Sequence, residues 1–251
     1  MDNKHKTVTV LLTGFGPFGD ERVNPSYLIA STLPATIPPT SKCPVSIQIT
    51  LYPYQIPPSY AEIRNLVPRL YAAYENIDMV LHMGMIMNRN YYSIEKLAHR
   101  DNYDVHEDRY GKIIDKDDGK IFWPDCPPIL ETSLDFDDIF QRWRSILLES
   151  SSEETSSSSV FNGLILRPSI DAGHYLCDFI YYSMLAEHWR RKKDRVQSDK
   201  MDERPVMFMH VPGTVQPNLR IGQATTVGLL RAMAMSWISR KSDRPSGEKG
   251  V

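Results

Sequence analysis

The sequence predicts an α/β chain in which a central sheet is covered by helices on both faces. Three observations carry that prediction. Short apolar, β-branched runs alternate from end to end with stretches of helical periodicity. Polar or glycine-bearing turns follow several of these runs, at the carboxyl ends where such sheets place ligands. The 251 residues, 41% apolar and 24% charged, suffice for one large domain with a substantial core. Twenty-nine basic against 31 acidic side chains leave a formal charge of −2, too little to draw the chain to nucleic acid or an anionic membrane. No apolar run is long enough for a signal peptide or a membrane span. Three cysteines, sparse and without metal-ligand spacing, point to a reducing, cytoplasmic setting.

The first strand is Thr7–Leu12, a continuous apolar and β-branched run, and the turn Gly14–Gly19 follows it. Asn24 with Pro25 reads as the N-cap and first residue of a helix. Val45–Leu51 alternates with period two and forms a second strand. Ser59 opens a helix with Ile63, Leu66, Val67, Leu70 and Tyr74 on one face, and Pro68 predicts a kink or break in it. Ile77–His82 is a third strand. Residues 110–128, rich in Gly, Asp, Lys and Pro, read as an exposed loop, and a helix carrying Leu134, Phe136, Ile139, Phe140 and Trp143 follows. The Ser/Glu tract 149–159 has no means to bury a core and reads as a flexible insertion. Gly163–Leu166 is a strand leading to a helix over Cys177–Trp189. Residues 190–204 form a charged helix extension or loop. Pro205–Val211 is the next strand, residues 222–240 the last helix, and the polar tail from about 241 is expected to be disordered.

The residues suited to chemistry sit in the turns. Cys177 follows Asp171-Ala172-Gly173 at the start of a helix, where unpaired amide N–H groups favour a thiolate. His210 ends a strand, and Glu95 lies in Ser93-Ile94-Glu95-Lys96. Thiol, imidazole and carboxylate are the parts of a cysteine hydrolase. Each also has a plainer reading: a buried structural thiol, a satisfied histidine at a strand end, a surface or capping carboxylate. The Gly14–Gly19 turn lacks the spacing of a nucleotide loop and suits either tight packing or a small apolar pocket. His174 and Cys177, three apart, lack further ligands for a metal, and His174 reads as an exposed turn residue. His82 and His99 have no partner legible in the sequence, and Cys43 and Cys126 receive no role.

Taken together, four segments resemble the pyroglutamyl peptidase I family of cysteine peptidases, also called pyrrolidone-carboxylate peptidases. They are Gly14-Phe15-Gly16-Pro17-Phe18-Gly19 with Val23-Asn24-Pro25-Ser26, Ser93-Ile94-Glu95-Lys96-Leu97-Ala98, Asp171–Asp178 with Tyr181-Tyr182, and Phe208-Met209-His210-Val211-Pro212. They occur in family order and cover about residues 7–103 and 160–238. The resemblance implies one catalytic domain over 1–251, an α/β/α sandwich with a twisted, mixed, mostly parallel sheet and polar insertions near 110–128, 149–159 and 190–204. It implies Cys177 as nucleophile, His210 as general base then acid, and Glu95 as the group that orients the imidazole. Phe15, Gly16, Phe18 and Asn24 form the implied substrate-binding set, the two phenylalanines bordering a pyroglutamyl ring. Backbone N–H groups at Cys177 and in the 13–19 turn are the expected oxyanion donors. The implied substrates are peptides with an amino-terminal pyroglutamate, with no metal, organic cofactor, nucleic acid or membrane partner. Oligomeric state is not legible in the chain.

The chain departs from bacterial members at Val105, where they carry arginine, and at Met85–Arg89, where they are glycine-rich. His99-Arg100-Asp101-Asn102-Tyr103 and Asp178 follow the eukaryotic pattern. Two competing readings are a silent binding protein that keeps the fold and another hydrolase or a phosphorylase-like enzyme. The latter needs a basic phosphate site, and no basic cluster adjoins the turns.

Overall fold

In a computed structural model that describes residues 6–19, 21–74, 76–152, 163–194, 205–213 and 218–243, the alternating pattern resolves into nine strands and six helices. The strands are β1 (Lys6–Gly14), β2 (Thr36–Ile37), β3 (Val45–Leu51), β4 (Met79–Met87), β5 (Tyr92–Glu95), β6 (Leu97–His99), β7 (Ile129–Glu131), β8 (Leu166–Ser169) and β9 (Val206–Gly213). The helices are α1 (Pro25–Ser31), α2 (Tyr60–Ala73), α3 (Asp118–Phe122), α4 (Phe136–Ser152), α5 (Leu176–Asp194) and α6 (Leu219–Asp243).

Seven strands form one sheet in the order β2-β3-β1-β4-β9-β5-β8. The central β3, β1, β4 and β9 run parallel, and their apolar character on both faces follows from helices covering both. The short edge strand β2 is antiparallel to β3, and β5 is antiparallel to β9 but parallel to β8, so the sheet is mixed. Strands β6 and β7 pair separately. One core lies between the sheet and α1, α4 and α6, with Leu12, Leu81, Met83, Met209, Trp143 and Met233 at its centre. The other lies between the sheet and α2 and α5, around Tyr60, Ile63, Val80, Phe179, Tyr181 and Phe208. Period-two alternation along β4 sends Met79, Leu81 and Met83 to the first core and Val80 to the second. His82 and Gly84 share the face of Val80. No helix among the described residues is long and apolar enough to cross a membrane.

Several sequence expectations require correction. Helix α2 runs through Pro68. Pro68 and Arg64, whose carbonyl loses its amide partner there, both lie on the exposed side, where water serves that carbonyl. Residues 110–128 are not simply an exposed loop: α3 forms there, Trp123 and Cys126 are buried, and the Trp123 ring packs against Phe179 and Tyr182. One buried indole outweighs the polar composition around it. The strand expected at 163–166 lies at Leu166–Ser169, and β2, β5, β6 and β7 are too short to show a period. Helix α4 carries the first residues of the 149–159 tract to Ser152, and α5 extends to Asp194. The rest of that tract, residues 195–204 and the tail from 244 lie outside the described residues.

Candidate active site

Strand register assembles the site. Strand β9 brings His210 opposite Gly84 of β4 on one side and opposite Ser93 of β5 on the other. Glu95 is two residues beyond Ser93, so both point to the same face as His210, toward α5. The His210 Nδ1 to Glu95 Oε1 distance is 2.8 Å, and the Ser93 hydroxyl donates to the same oxygen at 3.0 Å. Glu95 and His210 are buried, at 0% and 1% exposure. A buried carboxylate at this distance fixes Nδ1 as the protonated nitrogen, which leaves Nε2 to act as a base. Nε2 is buried and makes no hydrogen bond. Tyr181, one turn beyond Cys177 on α5, donates its hydroxyl to the Glu95 carbonyl at 3.0 Å and so ties the helix to β5.

Cys177 is the second residue of α5 and is half-buried. Its sulfur packs over Gly84: a Cβ added to Gly84 would meet Sγ at 2.6 Å and Phe208 Cζ at 2.8 Å. The thiol therefore sits against the residue paired with His210, and both side chains line one cavity of about 610 Å³. Burial pushes the Cys177 thiol well above its ordinary value, and the charges of Glu95 and Asp178 push it the same way. Close packing and the two carboxylates thus oppose the thiolate that the helix start would favour.

The cavity is also lined by Phe15, Phe18, Asn24, Met85, Ile86, Met87, Arg89, His106, Glu107, Tyr175 and the backbone-rich Ala172-Gly173. Phe15 is buried, while Phe18 packs edge-on against Tyr175 with ring centroids 5.5 Å apart. Asn24 does both things considered for it. Its Oδ1 caps α1 through Ser26 N–H at 3.1 Å, and its Nδ2 donates to the Gly16 carbonyl at 3.0 Å. Gly16 itself does not line the cavity. Its N–H donates to the Ile56 carbonyl at 2.9 Å, and the Phe15 N–H donates to the Ser26 hydroxyl at 3.0 Å. Those two amides of the 13–19 turn are thus engaged within the fold.

The segment 85–89 borders the cavity as its departure from the bacterial pattern implied, but Val105 is 71% exposed and lies outside the lining. Sequence reasoning missed Ser93, Gly84, His106 and Glu107. Ser93 was accessible through its period-two relation to Glu95. The others depend on strand register or on loop folding.

A thiol, an imidazole and a carboxylate that meet at one cavity of a two-sided α/β sheet are the working parts of a cysteine hydrolase. A family model described as pyroglutamyl peptidase matches residues 8–129, which include Glu95. Pyroglutamyl-peptidase 1 from Homo sapiens is 27% identical over 220 residues, covering 86% of this chain and 84% of that protein. Pyrrolidone-carboxylate peptidase from Thermococcus kodakarensis is 32% identical over 89 residues, covering 36% of this chain and 38% of that protein. Among solved structures, a variant of pyrrolidone carboxyl peptidase from Pyrococcus furiosus superposes with a TM-score of 0.66 at 20% identity, covering 92% of this chain and all of that one. Pyrrolidone carboxyl peptidase from Thermus thermophilus gives 0.60 at 23% identity, covering 89% and 99%. The chain is thus similar to pyroglutamyl peptidases over most of its length.

Proposed function

We propose that this protein hydrolyses the amide bond after an amino-terminal pyroglutamyl residue of peptides, as a cysteine peptidase with Cys177 as nucleophile, His210 as base and acid, and Glu95 as orienting group. The observation that carries this reading is the buried relay from Glu95 through His210 to an unbonded Nε2 in the cavity that also holds the Cys177 thiol. A pyroglutamyl group has no ammonium, so its pocket should be neutral and mostly apolar. Phe15, Phe18, Met85, Ile86 and Tyr175 supply such walls. Arg89, His106 and Glu107 form a polar portion suited to the rest of the peptide.

His210 Nε2 takes the Cys177 proton as the sulfur attacks the pyroglutamyl carbonyl. Glu95 stabilises the imidazolium that results. First-turn amides of α5 hold the oxyanion, each such donor contributing about 3–4 kcal/mol to barrier lowering. The imidazolium then gives its proton to the leaving amine. Water, deprotonated by His210, cleaves the thioester and regenerates the thiol. The mechanism requires a reduced Cys177, which suits a cytosolic setting, and none of the three cysteines is in a disulfide.

The test is release of a fluorophore from a pyroglutamyl amide. Wild-type protein should turn over the substrate, and Cys177→Ala should be inactive with an unchanged fold by circular dichroism. Equal rates for the two proteins would overturn the assignment.

A further inference from the structure

On the far side of the nucleophile turn, three metal-ligating groups converge that the proposed reaction does not use. His99 ends β6, His174 lies in the turn before α5, and Asp178 is in the first turn of α5. Their ligand atoms all lie within 4.8 Å of one another. None of the three lines the cavity. We propose that His99, His174 and Asp178 form a binding site for a divalent transition-metal ion of the zinc class, clamping β6 to the turn that carries Cys177.

The buried carboxylate of Asp178 is already oriented for the task. Its Oδ1 accepts the His99 backbone N–H at 3.0 Å, which leaves Oδ2 facing both imidazoles. His99 Nδ1 is 3.1 Å from Oδ2 and His174 Nδ1 is 3.7 Å from it. The first distance is a hydrogen bond; the second is too long for one. The two rings lie 4.2 Å apart between centroids, tilted by 37°, with both Nδ1 atoms turned toward the same oxygen. Without a metal, His99 bonds to the carboxylate and His174 Nδ1 to the Asp101 carbonyl at 3.3 Å.

A metal ion joins all three groups at once. Tetrahedral zinc with bonds of about 2.0–2.1 Å separates its ligand atoms by about 3.3 Å. The two distances to Oδ2 bracket that value. Closure needs shifts of about 0.2 and 0.4 Å at the two pairs with Oδ2 and of at most about 1.5 Å between the imidazoles, and His174 can supply them, its side chain being 36% exposed on a turn. Its Nδ1 lies 3.3 Å from the Asp101 carbonyl, a weak tie to exchange for a metal bond. His174 also holds a left-handed backbone, φ 44°, directly after Gly173 at φ 97°. That left-handed conformation, uncommon outside glycine, goes with the placement of Nδ1 3.7 Å from Asp178 Oδ2. Two imidazoles and one carboxylate favour zinc or its neighbours over magnesium or calcium and leave a fourth position for water.

The reading is independent of peptidase activity, because the test measures metal binding. The full chain carrying Cys177→Ala, which removes the cavity thiol as a competing ligand, is titrated calorimetrically with zinc chloride and, separately, with cobalt(II) followed by its visible d–d absorption. The expected result is one equivalent bound per chain with a tetrahedral cobalt spectrum. Adding His174→Asn, which tolerates the left-handed backbone but removes the imidazole, should weaken zinc binding at least about tenfold. Adding His99→Ala should weaken it comparably. Absence of stoichiometric binding, or zinc affinity unchanged by His174→Asn, would overturn the proposal.

Discussion

Gly84→Ala tests the packing that places the nucleophile. Gly84 is the residue of β4 over which the Cys177 sulfur lies, and it pairs directly with His210. A methyl group there would sit 2.6 Å from Sγ and 2.8 Å from Phe208 Cζ. Ordinary contact between such atoms needs about 3.6 Å, so sulfur and ring must each retreat by roughly 1 Å. The Phe208 ring is itself packed against the His210 ring, with centroids 4.7 Å apart, so the displacement reaches the base as well as the nucleophile. Overpacking of this kind costs about 1–3 kcal/mol of stability, which a domain of this size survives. A 1 Å misplacement of reacting groups costs about 10²-fold in rate. The expected outcome is a folded protein whose kcat on a fluorogenic pyroglutamyl amide falls about 10²-fold, with a smaller change in KM. A kcat within about twofold of wild type, at unchanged stability, would refute the inference that the sulfur works from this position.

Glu95→Gln keeps an acceptor for His210 Nδ1–H but removes the charge that stabilises the imidazolium, so kcat should fall about 10–10²-fold with little change in KM, as read by steady-state kinetics. Asn24→Ala removes both the cap of α1 and the tether to the Gly16 carbonyl. Stability should drop by about 1–2 kcal/mol, and KM should rise more than kcat falls, checked by denaturant titration and kinetics. His82 is buried, bonds to Thr13 at 2.7 Å and has its pKa pushed down to about 3 from 6.5 by burial. The unfolded chain therefore binds the extra proton first as pH falls below 6.5. The stability tied to a neutral His82 is complete above 6.5 and is lost progressively toward about pH 3, by up to about 5 kcal/mol. Denaturant midpoints measured across that window should fall with pH, and His82→Asn should flatten the slope.

The parts of this molecule legible in its sequence are those with local signatures. Continuous apolar runs marked the buried parallel strands β1 and β9, period two marked β3, and Asn24-Pro25 marked the start of α1. The candidate triad was legible because each member lies in a distinctive local pattern, although β9 runs on past His210 to Gly213 and so does not end there. What escaped depends on distant chain segments. Strands of two to four residues such as β2 and β6 are defined by their partners rather than by periodicity. The burial of Trp123 follows from aromatic packing against α5. Gly84 gains meaning only once β4 pairs with β9. A helix-start argument also leaves out the two carboxylates that folding brings near Cys177 and that push its thiol up. His99 seemed without a partner because the residue it meets, Asp178, lies 79 positions away.

The account rests on a covalent bond formed at one sulfur among three. Treatment with one equivalent of a pyroglutamyl chloromethyl ketone, followed by peptide mapping, tests it most directly. The account predicts modification of Cys177 alone, with Cys43 and Cys126 untouched in their buried positions and turnover lost in proportion to labelling. Modification at another residue with Cys177 unreacted, or full turnover by protein labelled at Cys177, would contradict it.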